Sequence, residues 1–187
     1  MSGGHGGHVE GSNKKIALLV AILAALLAVS EMGGKSSQTN ALSSHIDASN
    51  LWSFFQAKTI RQTTLRTAAE EAEATSKDSP QGMPAAMKAQ TERWRQTAQR
   101  YETEPETGEG RKELMARARA KEQNRDKSLA AYHMFEYASA GFQLAIVLAG
   151  AAALTSVAWL IFISVGLGVV GLGFTLLAFL APTLVHL

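Results

Sequence analysis

The densest chemistry in the chain is one block at 49–62, SNLWSFFQAKTIRQ. Residues three and four apart share a helix face. On a helix, Asn50, Phe54, Lys58 and Arg61 or Gln62 therefore stand together, with Trp52, Phe55 and Thr59 on another face. Lys58 and Arg61 would supply positive charge, and Trp52, Phe54 and Phe55 an apolar anchor, for an anionic headgroup or an acidic partner helix. The competing reading makes the same side chains packing groups whose cations pair with Asp or Glu of a returning helix. Other candidates are sparse. His5 and His8, in a Gly-rich tail, form a poor two-ligand metal site without a carboxylate. His45 with Asp47, and His133 with Glu136, are either surface polar residues or two halves of one metal or proton site. The absence of cysteine excludes disulfides, thiolate metal sites, iron–sulfur clusters and Cys nucleophiles. There is no Ser-His-Asp order, P-loop or dinucleotide fingerprint, and Gly82, Gly108 and Gly110 fall in acidic or Pro-bearing loops that suit no phosphate. The expectation is a non-enzymatic protein with no catalytic residue, no metal site and no cofactor.

The elements that would position this block follow from where the charges lie. Every Asp, Glu, Lys and Arg lies between Glu10 and Glu136, and 137–187 holds none. A stretch that long without a charge cannot be the half-exposed helix of a soluble domain, which needs a polar face. The chain therefore reads as a membrane protein with a polar middle. A first apolar run, Ile16 to Ser30, reaches spanning length by drawing in Asn13 to Lys15 or Met32 to Gly34, which gives a transmembrane helix at 16–34 with Lys14 and Lys15 able to snorkel. A secretory signal ending at Ala28-Val29-Ser30 is the alternative for this run. Taken as one helix, 138–181 would be about 66 Å long, twice a hydrocarbon core. It must fold back, and the polar Thr155-Ser156 pair divides it into spans at 137–154 and 157–181, with a tail at 182–187. Gly166, Gly168, Gly171 and Gly173 in the last span allow close helix packing. By the positive-inside rule Lys14 and Lys15 predict a cytoplasmic N-terminus.

The polar middle, 35–136, reads as an extramembrane helical hairpin. Residues 32–137 contain only ten Leu, Ile, Val or Phe, too few for an independent globular core, yet they are rich in helix formers and nearly balanced in charge. Thin stripes mark the helices: Leu51, Phe55, Lys58, Gln62, Leu65, Ala69 and Ala72; then Met83, Met87, Trp94, Ala98 and Tyr101; then Leu114, Ala118, Leu129 and Tyr132, interrupted by Lys121 and Arg125. Pro/Gly clusters at 78–84 and 104–110 separate them. Such stripes are buried by coiled-coil-like pairing, within or between chains. Residues 1–15 lack periodicity and are expected to form a disordered Gly/His tail.

The run from Glu31, EMGGKSSQ, and the block at 49–62, between an N-terminal span and a C-terminal hairpin, resemble the bacterial membrane family catalogued as domain of unknown function 4337. The resemblance implies a multi-pass protein of the bacterial inner membrane and carries over no catalytic residue. The fold expected is all-α, with three transmembrane helices and a long helical stalk. The stripes are too thin and polar for one chain, so a homo-oligomer is expected, with the first helices near its axis and Ser49, Lys58 and Gln62 facing a partly hydrated interior. The leading function is a scaffold or accessory subunit presenting the stalk to a partner. The alternative is a pore lined by the first helices. Membrane lipids, a second copy and another membrane protein are the expected partners; the diffuse excess of cations does not suit nucleic acid.

Overall fold

A computed structural model describes residues 6–77 and 79–184, with side chains from Lys14 onward. Four helices follow in order: α1 (Gly6–Lys77), α2 (Ala85–Glu102), α3 (Arg111–Thr155) and α4 (Trp159–Leu180). No strand occurs among the described residues. α1, α3 and α4 are each long and apolar enough to cross a membrane. The breaks fall where the sequence places them. Pro84 precedes α2, where a missing N–H costs nothing. Gly82 (φ 68°) and Gly108 (φ 66°) take left-handed turns that a side chain would strain. α3 stops at Thr155 and Ser156 follows at φ 59°, so the polar pair is the turn between α3 and α4.

One expectation is corrected here. The expected tail at 1–15 is helical from Gly6 onward, and residues 1–5 lie outside the described residues. Once the apolar run has nucleated a helix, each added residue gains a hydrogen bond, so even Gly-rich sequence can extend it. Nor is there a break between the apolar run and the polar stretch that follows it. α1 continues through Gly33 and Gly34, and α3 enters its apolar half without interruption.

The chain divides into two compact units. The first contains α1 up to Leu42, α3 from Arg125, and α4. Ser30 Oγ donates to the Phe135 carbonyl at 3.2 Å while Leu23 packs with Phe142, so α1 and α3 run antiparallel in this unit. α3 buries Ala131, Phe135, Ala138, Phe142, Ala145, Ala149 and Ala152, at steps of three and four. α4 answers with Ser164, Gly168, Gly171, Thr175 and Ala178 in the same rhythm. This seam is built of small side chains, which let backbones approach closely, and two hydroxyls on it find carbonyls: Ser164 donates to Ala145 at 2.7 Å and Thr175 to Gly171 at 3.0 Å. Only Gly168 and Gly171 of the four α4 glycines belong to it. A Cβ at Gly171 would sit 3.0 Å from the Phe142 ring and 3.1 Å from the Ala138 carbonyl, whereas Gly166 and Gly173 have nothing within 4 Å.

The second unit, Ser43–Asn124, packs the rest of α1 against α2 and the start of α3. Ala48, Ala69, Ala98 and Ala118 line its interior with Leu114, and Lys58 and Gln62 are buried beside them. The stripe through Lys58 and Gln62 is thus covered by the chain's own helices, which corrects its assignment to an interior between subunits. Alanines at facing positions let the helices come close enough for the two polar side chains to reach partners. Further along, Met83, Met87 and Trp94 do not close onto α1 but leave a groove of about 640 Å³ over Ala68 and Ala72.

Candidate functional site

Within the second unit the block at 49–62 meets the α2–α3 connection, and its polar groups join one network. Gln62 is the hub. Its Nε2 donates to the Ala98 carbonyl at 2.8 Å and to Glu102 at 3.0 Å, and its Oε1 accepts from Arg111 at 2.6 Å. Arg111 also donates to Glu102 at 2.8 Å and to Thr59 at 2.9 Å, with its guanidinium 5.0 Å over the Phe55 ring. Lys58, one helical turn before Gln62, donates to Glu104 at 3.3 Å and lies 3.9 Å from Glu109. Phe54 and Tyr101 cover it, their ring centres 5.4 and 5.6 Å from its ammonium. Arg100 holds the other oxygen of Glu104 at 2.8 Å. Glu113 ties the loop to the start of α3, accepting from the Thr103 hydroxyl at 2.7 Å and the Glu104 backbone N–H at 3.3 Å.

The electrostatics follow from these bonds. The Gln62 amide, with Arg111 behind it, holds the Glu102 carboxyl below its ordinary range against the opposing effect of burial. Arg100 and then Lys58 do the same for Glu104, and the Thr103 hydroxyl for Glu113. All three carboxylates are therefore bases weaker than usual at neutral pH, the reverse of what a general acid requires. No buried side-chain nitrogen or oxygen among the described residues lacks a hydrogen-bond partner.

The six residues singled out for binding do not form one face. Lys58 is only 5% exposed and committed to Glu104. Trp52 donates its indole N–H to Glu122 at 2.9 Å and meets Phe55 edge to face. Phe54 lies over Lys58 but is 37% exposed, and Asn50 and Arg61 are exposed as well. Of the two cations, Lys58 pairs with a carboxylate beyond α1, while Arg61 stands exposed. Sequence spacing placed Lys58 and Gln62 together but missed Arg111, which opens α3 just after the second glycine loop; its adjacency to that loop was the one available signal. Of the paired candidates, Asp47 bonds Lys121 at 2.8 Å, and Glu136 is taken by Tyr132 at 2.6 Å and His133 at 3.2 Å. Among the described residues no three His, Asp or Glu gather as a metal set, and the side chains of His5 and His8 lie outside them.

The block at 49–62 and the EMGG run at Glu31 both fall within 12–181, over which the chain matches the model of the domain of unknown function (DUF4337). The chain belongs to this family. Among the described residues this DUF4337 member has helices and no strand, and three of the helices are long and apolar enough to cross a membrane. Comparison with curated proteins and with solved structures finds no match.

Proposed function

We propose that this DUF4337 protein is a non-enzymatic, three-span protein of the bacterial inner membrane, its N-terminus cytoplasmic, that self-associates through α1 and presents its second unit to a partner. The membrane reading is supported by the charge-free run at 137–187 and by three helices of spanning length. Self-association is supported by one observation in the second unit. Ile46 and Ile60 are 50% and 68% exposed, the most exposed large hydrophobic side chains among the described residues of that unit. They are two heptads apart, and the positions between them that step by four and three, Asn50, Ser53 and Ala57, carry no charge; nor does Thr64 beyond. In the first unit α1 repeats the pattern with Leu18, Ile22, Ala25, Val29 and Met32, all exposed. An uncharged four-three seam left open by the chain's own packing is what pairs with its copy in a coiled coil. The network at Lys58 supports the non-enzymatic reading, because its cations and carboxylates are spent on one another.

The chain has no cysteine, so single substitutions test this directly. Disulfides need Cα atoms within about 7 Å. Ile46→Cys and Ile60→Cys in membrane vesicles should each give a cross-linked dimer on mild oxidation, while Gln99→Cys, on exposed α2, should not. Cross-linking no greater at the α1 positions than at Gln99→Cys would end the α1 reading.

A further inference from the structure

In the first unit, α1 and α3 enclose a groove of about 530 Å³ to which α4 contributes no residue. Glu31, Lys35 and Gln38 line one wall; Tyr132, Glu136 and Gln143 line the other. Its charges are therefore two carboxylates and one ammonium. Glu136 is braced by Tyr132 and His133 and keeps lone pairs to spare. Among the described residues Glu31 has only a long 3.5 Å contact with the Gln143 amide. Lys35 makes no ion pair among the described residues. The floor is firm: Ser30 is bonded to the Phe135 carbonyl, and Gly34 is buried against the same residue.

The position of the groove along α3 restricts what fits. Glu136 is the last charge of the chain, and Gln143 lies about 10 Å further along the helix, inside the charge-free run. On the exposed side of α3 the stripe continues as Leu144 and Val147, 57% and 65% exposed. A ligand matching this surface carries charges of both signs at one end and an apolar body at the other. We infer that the groove seats the headgroup of a phospholipid bearing a primary ammonium, with the amine between Glu31 and Glu136 and an acyl chain along Leu144 and Val147. An ammonium with three N–H donors satisfies carboxylates that a fully methylated one cannot hydrogen-bond.

The site rests on the membrane reading above, and the full-length chain tests both. Carbonate extraction of membranes comes first; release of the chain would overturn the membrane reading and the site with it. The retained chain is then purified with equimolar phosphatidylethanolamine, phosphatidylcholine and phosphatidylglycerol, and bound lipid is counted by native mass spectrometry. Ethanolamine lipid should be retained at least about fivefold over choline lipid, a comparison that needs no variant. Glu31→Gln with Glu136→Gln should remove that preference at unchanged helix content. Soluble phosphoethanolamine at millimolar excess should leave the lipid bound; its displacing the lipid would transfer the site to a soluble ligand and overturn the lipid assignment. Equal retention of the two lipids, or a preference that survives the double substitution, would refute the site alone.

Discussion

Gln62 and Arg61 are neighbours in sequence and opposites in consequence. Gln62, 2% exposed, joins α1 to the α2 backbone, Glu102 and Arg111 at once. Gln62→Leu preserves volume but removes the hydrogen bonds to the Ala98 carbonyl, Glu102 and Arg111 at a buried position, a loss of about 1–3 kcal/mol. Arg61→Gln, on the exposed side, should change stability by less than about 0.5 kcal/mol. Thermal melts of the two variants in detergent should separate accordingly; equal midpoints would remove Gln62 as the hub. The same network sets an acid limit. Glu102 and Glu104 titrate below their ordinary range when folded, so their contribution is complete above the unfolded value of about 4.3 and is lost as pH falls through the folded one. The melting midpoint should hold between about pH 7 and 5 and fall below about 4.3. In Gln62→Leu the fall should be shallower, because the largest cause of the Glu102 shift is gone; parallel falls would count against that cause. How much of this was legible is a matter of distance along the chain. The helical spacing at 49–62 was enough to set Lys58 and Gln62 on one stripe, but their partners come from residues up to about fifty positions away, and no local pattern selects Glu104 or Arg111.

At the level of elements, the glycines of the apolar helices divide by what faces them. Gly171 packs on a backbone carbonyl and a buried ring that cannot turn aside, whereas Gly168 meets only the tip of Leu23. Gly33 seats the Phe135 ring, whose nearest carbon would be 2.6 Å from a Cβ. Gly173 faces open space. Alanine is the better helix former by up to about 1 kcal/mol, so the sign of a Gly→Ala change is set by space alone. Gly171→Ala and Gly33→Ala should lower the melting midpoint, while Gly173→Ala should leave it unchanged or raise it. A drop at Gly173 matching that at Gly171 would mean that the outer face of α4 is packed too. Composition revealed a smooth α4 but not which side of it is used, because the choice is made by Phe142 and Ala138 of α3. The turns, in contrast, were legible: Pro84, Gly82, Gly108 and the Thr155-Ser156 pair act through their own backbone preferences and need no tertiary partner.

For the whole molecule, the inference from thin stripes to an oligomer has to move to a different face of α1. Small facing side chains bring the helices of one chain close enough to bury Lys58 and Gln62, so that stripe needs no second copy. What the chain's own helices leave open is the opposite row, where Ile46 and Ile60 stand exposed with Asn50 between them. A row with so few aliphatic groups gives weak association and little discrimination between registers. Asn50 supplies the discrimination on the proposed self-association, since a seam asparagine must find its counterpart in the facing copy and disfavours arrangements that leave it unpaired. Asn50→Ile should therefore strengthen the assembly against heat and detergent while broadening its stoichiometry from one subunit number to several. Native mass spectrometry from nanodiscs reads both quantities together. A variant with the same single subunit number and the same dissociation threshold as the parent would place Asn50 outside the interface, and with it the row through Ile46 and Ile60.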